Sequence, residues 1–556
     1  MIQWKWEIAT ADTPSTPEDV VGILLKIRGF DSSFLVGGLA DLEAHLDLRG
    51  LEEGAGLMGR HLREAHKIVL VADYDCDGVT SAAQMSLFLK EIGYRNFSVV
   101  LSDRREGYGI PERALDEHPD ARLFVAMDCG TSEETKIGRI CAAGADCLVI
   151  DHHEVPSSGC PPATVLINPK QPECPSFFKE FCSSGLTLLF LTQLRKAVAG
   201  HFPEPRLGGK YLELATIGTI ADLVPLVEGN RIIARSGLQS LNHQPYEPIA
   251  RILKAAGIDG RRVSAGHVGY YVGPRINAAG RVSHARIAYD LLISEQREEM
   301  DKLAFGLNRL NAARQQLEEV LLREVRRKLL SMDGDCRTLV LGDPRWSVGI
   351  VGVAASRIQQ EWRYVPTILL AVDEEKGVAR GSGRSIPGFD LHRALQDCED
   401  LLLRWGGHKA AAGMTLESVK LPAFARRFEE IARGSDPEIF VPRKRVDMEL
   451  DLGLVSPELV EALRRFEPHG LGNPSPVFSA RNIQVAVQRV FGRDRNHLRL
   501  LVNGAVEAVF WRGLPSFESG RWGNLGSLDI IFELEWDSYR RRPILVVKDI
   551  GPLFDG

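Results

Sequence analysis

The stretch KIVLVADYDCDGVTS, residues 67–81, decides the reading: an apolar run ends abruptly in three alternating carboxylates, Asp73, Asp75 and Asp77. Lys67 to Ala72 has the pattern of a buried strand. Its carboxyl end delivers the acids into a turn at Gly78, and the spacing predicts a helix from Ser81 to Ile92 that covers the sheet. Like charges crowded at one strand end are costly unless a cation neutralises them, and a divalent metal does so most directly.

Working outward, strands are expected at Phe97 to Leu101, Arg122 to Asp128, Cys147 to Asp151 and Thr164 to Ile167, with helical stretches between several of them. That alternation predicts an α/β fold with a parallel sheet, whose sites form at the carboxyl ends of its strands. Asp73, Asp128 and Asp151 all stand at such ends. The cluster DHHE at 151–154 adds His152 and His153 to the same rim, and Asp222 closes the small-residue run TIGTIA before a Pro-containing turn. Carboxylates and imidazoles without thiolate spacing suit manganese or magnesium better than structural zinc. Two ions about 3.5–4 Å apart need a shared carboxylate, and Asp128 is the expected bridge. DYDCDG also matches the start of a calcium-binding EF-hand loop, but the Glu required at its twelfth position is Gln84 here.

The chain has 556 residues, more than one core serves, so three or four domains are expected. Hydrophobic residues at 44% and charged residues at 26% are ordinary for a globular protein. There is no long apolar run and no basic-then-apolar start, so a cytoplasmic protein without a membrane segment is expected. Nine cysteines scattered without CxxC indicate neither a disulfide framework nor a zinc ribbon. A net charge of -6 does not advertise nucleic-acid binding, which would need a local basic surface.

Residues 1–66 read as a mostly helical entry segment. The glycine-rich stretch GYYVGPRINAAGRVSHA, 269–285, reads as a loop whose Arg275 and Arg281 suit phosphate oxygens, with structural ion pairs as the competing reading. Residues 296–330 carry the longest helical pattern. A second α/β domain follows, with polar-glycine loops at ARGSGRSIPG (379–388) and GGHKAAAG (406–413); Ser382, Arg384 and His408 sit where backbone can approach an anion, and either loop also reads as a plain turn. Beyond about 440 the pattern is β, with Trp511, Trp536 and Tyr539 among arginines, readable as core or as a stacking surface for single strands.

These segments together resemble the DHH phosphoesterase family. The matching pieces are DYDCDGVTS, MDCGTS, DHHEVP, ADLVPL, GPRINAAGR, LNRLNAARQ, VGIVGVAASR, GSGRS, GGHKAAAG and GLGNPSPVF, in the family's order over nearly the whole chain. The resemblance implies a DHH domain (67–295) and a DHH-associated domain (336–435) with a cleft between them, joined by a long helix (296–335) and followed by an oligonucleotide-binding β-barrel, the OB-fold (440–556). It implies that Asp75, Asp77, Asp128, His152 and Asp222 hold two Mn2+ or Mg2+ ions, that Asp73 and Asp151 orient those ligands, and that His153 faces the scissile phosphate. Arg275, Asn277 and Arg281 would line the strand's path, and Gly406, Gly407 and His408 would add to the substrate surface. Ser382 and Arg384 would grip a 5′-terminal phosphate with either Arg104 or Arg105; the family's arginine stands one residue further from GYG, so both stay open.

The implied activity is a single-stranded-DNA-specific 5′ to 3′ exonuclease of recombination and repair, releasing 5′-mononucleotides by two-metal-ion hydrolysis. It would act as a monomer beside a single-strand-binding protein and a repair helicase, and fade in acid as His152 protonates. Two other functions occur in the superfamily. One is a phosphodiesterase on short oligonucleotides, whose chains usually lack the terminal barrel. The other is a catalytically silent scaffold that binds single strands, which loses acids present here.

Overall fold

The computed structural model describes residues 2, 4–330, 335–520, 522 and 527–554. The chain separates into two units, one of Phe34–Gln315 and Phe466–Pro474, the other of Met1–Ser33, Gln316–Arg465 and Ser475–Gly556. Among the described residues no helix is long and apolar enough to cross a membrane.

The first unit is ordered by five parallel strands, in the sheet order Phe97–Leu101, Ile68–Ala72, Leu123–Met127, Asp146–Ile150, Val165–Ile167. Ile68–Ala72 and Leu123–Met127 are buried along their whole length, which is why their sequences run apolar without alternation. The helices Leu51–Arg63, Cys76–Glu91, Ser183–Ala197 and Lys210–Ala221 cover one face through Met58, Phe88, Phe190 and Tyr211. Ile137 and Ile140, from the helix Glu134–Ala142, lie in the core on the other face with Val69 and Val71. Ile68–Ala72 has Phe97–Leu101 on one side and Leu123–Met127 on the other, so the chain steps to one side of it and then crosses back to the other. Such a switch point opens a crevice at the carboxyl ends of the strands.

Two local expectations change here. The helix expected from Ser81 begins at Cys76, because Asp75 caps it by accepting from the Asp77 and Gly78 amides. Gly78 is therefore in the first helical turn; a Cβ there would stand 2.5 Å from the Asp73 carbonyl oxygen. The segment 269–285, read as a loop, is largely helical, a π-turn Val268–Val272 running into the helix Gly273–Val282. Its glycines serve close contact: a Cβ on Gly273 would lie 2.9 Å from the Ala221 Cβ, and one on Gly280 2.6 Å from the Tyr74 carbonyl oxygen.

In the second unit, Leu339–Asp343 and Thr367–Asp373 pair in parallel, and Val378–Arg384, Ala411–Glu417 and Arg404–Gly407 extend the sheet antiparallel. The two polar-glycine stretches expected as loops are thus mostly strand. Gly381 is required there, since a Cβ would fall 2.0 Å from the Leu369 carbonyl oxygen. A second sheet of seven strands between Met448 and Gly551 forms the C-terminal β domain. Trp511 in it is 54% exposed, which makes it surface rather than core. The entry segment begins with a strand, Lys5–Ile8, that pairs in parallel with Arg443–Val446. The long helix spans Arg297–Leu330 and belongs in part to each unit; residues 331–334 of the expected connector lie outside the described residues.

Candidate metal centre

The acids of the first unit converge at the switch point. Asp77, only 1% exposed, accepts from the Ser183 and Ser184 amides at 2.7 and 2.8 Å, so its carboxylate sits on the N-terminus of the helix Ser183–Ala197. Asp73 accepts from the Ser102 hydroxyl at 3.0 Å. Asp128 leaves its strand at φ 60, a left-handed conformation that an aspartate tolerates better than a branched residue. Asp222 caps the end of the helix Lys210–Ala221.

Asp151 is held in place by four donors: the amides of Thr131, His152 and His153 at 2.9, 2.8 and 3.3 Å, and the His153 Nδ1 at 2.7 Å. His152 Nε2 then lies 3.4 Å from Asp128, 3.6 Å from Asp222 and 3.9 Å from Asp77.

Three groups of donor atoms mutually within 4.8 Å result: Asp77–His152–Asp222, Asp73–Asp75–Asp128, and Asp128–His152–His153. Asp128 and His152 each belong to two of them. The electrostatics fit a cation. Burial and the Asp75 charge push the Asp73 and Asp77 carboxyls up to about 7 and about 6. Burial and then Asp77 drive Asp128 and Asp222 well above the carboxylate range. Acids so crowded stay charged only beside positive charge. Burial would also raise Asp151, but the neighbouring His153 imidazole overrides it and holds this carboxyl well below its usual value. His153 is lifted in return to about 9, against its own burial.

Of the expected substrate residues in this unit, Arg104 and Arg105 separate clearly. Arg105 folds back on Asp103 through two bonds of 2.9 and 2.6 Å, whereas the Arg104 guanidinium stacks 4.3 Å above the Tyr74 ring and acts on the Asp73 charge. Arg104 is thus the one at the acid rim. Asn277 accepts from the Cys76 amide at 2.8 Å, bracing the turn that carries Asp75. Arg275 donates to Asn308 and to the Tyr271 carbonyl. Arg281 sits in the last turn of the same helix.

Sequence reasoning missed Tyr108, whose hydroxyl lies 3.2 Å from the Asp128 carbonyl and 3.0 Å from His153 Nδ1. It also missed the Ser183 and Ser184 amides. The phenol carried a signal in its GYG setting; the amides, being backbone, carried none.

In the second unit, Arg384 Nη1 donates to the Ser382 hydroxyl at 2.7 Å and its Nε to the Ser356 hydroxyl at 3.0 Å, so the two expected residues form one cluster. Gly406, Gly407 and His408 lie at the adjoining hairpin, where the His408 amide donates to the Ala411 carbonyl at 2.8 Å and Gly407 adopts φ 142.

The chain matches the DHH family, N-terminal domain, at residues 67–219, the DHHA1 domain at 335–434 and the RecJ OB domain at 446–549. The single-stranded-DNA-specific exonuclease RecJ of Bacillus subtilis is 32% identical over 98% of this chain and 70% of its own. That of Salmonella typhimurium is 30% identical over 98% of both. The crystal structure of RecJ from Thermus thermophilus in complex with Mn2+ superposes with a TM-score of 0.82 at 29% identity, over 99% of this chain and 79% of that one. With this order of domains and this extent of likeness, the chain belongs to the RecJ family.

Proposed function

We propose that the protein is a single-stranded-DNA-specific 5′ to 3′ exonuclease that releases 5′-mononucleotides in recombination and repair. The observation that carries this reading is the set of three overlapping donor groups joined through Asp128 and His152 at the carboxyl end of the parallel sheet. Asp75, Asp77, Asp128, His152 and Asp222 would hold two divalent ions, Mn2+ or Mg2+, with Asp73 and Asp151 fixing their ligands. When bound, such ions supply a nucleophile at neutral pH and stabilise the developing negative charge.

The chain's own residues do the rest. Asp151 fixes the His153 ring and keeps its proton on Nδ1, so the opposite nitrogen is directed at the phosphate to be cut. In the first unit Arg104, stacked over Tyr74 and among the described residues in no ion pair, is available to a phosphate oxygen; in the second unit Ser382 and Arg384 offer donors suited to a terminal phosphate. In this reading Arg275, Asn277 and Arg281 add to the substrate surface of the first unit, and Gly406, Gly407 and His408 to that of the second. In the β domain, a cavity of about 500 Å³ lined by Trp511, Trp536, Phe491, Arg489 and Arg499 suits an unpaired base more than a duplex. A single-strand-binding protein and a repair helicase are the partners this role calls for.

The test is digestion of 5′-labelled and 3′-labelled single strands with Mn2+, beside Asp128→Ala. Immediate release of the 5′ label as mononucleotide, stepwise shortening of the 3′-labelled strand, and an inert variant are expected. A wild-type protein that binds both strands and cuts neither would leave a scaffold in place of an enzyme.

A further inference from the structure

The motif GLGNPSPVF has no part in the chemistry above, yet its first residues pack with the first unit although their flanks belong to the second. We propose that residues 466–474 are a brace that positions Asp222 and Asp77, and so sets the affinity for one of the two divalent ions. This rests on the two-ion reading of the centre.

Asp222 is followed by Leu223, which is 70% exposed and held at φ 61. A bulky side chain in the left-handed region costs about 1–2 kcal/mol, so the surroundings must hold this turn. The brace supplies that hold. The Leu226 amide donates to the Leu471 carbonyl at 2.7 Å. Gly470 and Gly472 lie flat on the turn: a Cβ would meet Leu226 Cδ1 at 2.6 Å in the first case and Pro225 Cβ at 3.0 Å in the second, where φ is +74.

The brace is itself stiffened from within. Asn473, wholly buried, donates from Nδ2 to the carbonyls of Phe466 and Pro468 at 2.7 and 3.0 Å, and its backbone exchanges two bonds with Gly470. The Phe466 carbonyl also accepts from Arg231 Nη1 at 2.7 Å.

From the turn the support passes on. Asn230 Nδ2 donates to the Pro225 carbonyl at 3.0 Å and to the Glu180 carbonyl at 2.6 Å. Glu180 lies just ahead of Ser183 and Ser184, whose amides hold Asp77. The brace therefore reaches the two carboxylates of the Asp77–His152–Asp222 group, and none of these contacts involves Asp73, Asp75 or Asp128.

The experiment titrates Mn2+ into the metal-free full chain, by calorimetry and by electron paramagnetic resonance of the free ion. It compares wild type, Gly472→Ala, Asn473→Ala and, as control, Leu471→Ser, which keeps the carbonyl and alters a 60% exposed side chain. In both brace variants one Mn2+ dissociation constant is expected to rise about tenfold or more, the range for lost support behind a ligand, while the other stays within about twofold. The Mn2+ concentration for half-maximal cleavage should rise in step, with KM for the single strand unchanged. Gly472→Ala, at an exposed position, guards against a variant that does not fold. Two unchanged constants, or two that weaken alike, overturn the brace. A wild type that fails to bind two ions instead overturns the reading of the centre, and with it the brace.

Discussion

Withdrawing divalent ions and raising the pH should make the first unit melt at progressively lower temperature. In the ion-free centre, burial and the Asp75 charge raise Asp73 to about 7 and Asp77 to about 6, from 3.8. An acid raised on folding binds its proton more tightly in the folded than in the unfolded chain. It therefore favours the folded state fully below its unfolded value, and that contribution disappears as pH climbs through the folded one. The window opens near pH 4 and extends to about 7 for these two groups, and higher for Asp128 and Asp222. Taking Asp73 from 3.8 to about 7 corresponds to roughly 4 kcal/mol. The four acids share one field, so their losses do not add, and about 4 kcal/mol is the scale for the cluster. At about 2–4 °C per kcal/mol, the melting temperature should fall by roughly 10 °C between mild acid and mild base.

His153, which burial would lower but Asp151 lifts from 6.5 to about 9, loses its contribution as pH climbs between those values, so it adds to the same downward trend in the upper half of the range. Mn2+ takes the place of the bound protons, so its stabilisation should grow with pH; one ion at about 100 times its Kd adds about 2.7 kcal/mol. Differential scanning calorimetry at about pH 5, 6, 7 and 8, with chelator and with Mn2+, measures both trends. A melting temperature of the ion-free unit that is flat or rises over that range, or a Mn2+ gain equal at both ends, refutes the reasoning.

Three further outcomes are expected. Arg104→Ala should raise KM about tenfold for a 5′-phosphorylated strand and little for a 5′-hydroxyl strand, the loss of one charge-assisted contact, while Arg105→Ala, already committed to Asp103, should stay within about twofold; steady-state kinetics on the two substrates decides. Gly280→Ala drives a Cβ to 2.6 Å from the Tyr74 carbonyl oxygen, and a urea midpoint lowered by the equivalent of about 1–3 kcal/mol, with reduced cleavage, should follow. Trp511→Ala should weaken single-strand binding about fivefold or more, the worth of one stacked base, and leave kcat unchanged; fluorescence anisotropy and turnover at saturating strand measure the two.

The parallel sheet was legible because strands buried on both faces must be apolar throughout, and Asp73, Asp128 and Asp151 mark where each such run stops. The candidate ligands were legible for the same reason, since strand ends in such a sheet share one rim. What stayed hidden depends on contacts far apart in sequence. Glycine, proline and asparagine in GPRINAAGR punctuate like a loop, but Gly273 and Gly280 are set by Ala221 and Tyr74, which no local pattern reveals. Gly381 looks like a loop residue until Leu369 is placed against it. The start of the helix at Cys76 was obscured because Asp75 serves at once as cap and as candidate ligand, and the DYDCDG glycine suggested a turn. That Arg105 is taken up by Asp103 while Arg104 stacks on Tyr74 is likewise a contact no local pattern reveals.

The pairing of Lys5–Ile8 with Arg443–Val446, closed off by Trp6 donating to Asp549 across 543 positions, also bears on how the molecule is made. At about 5–20 residues per second, the first strand leaves the ribosome roughly half a minute to two minutes before its last partner does. For that interval an unpaired strand edge that carries Trp6 and follows Trp4 is presented to the cell, the kind of segment that chaperones hold and that aggregates when they do not. Slowing translation late in the message should therefore lower the yield of folded protein more than slowing it early.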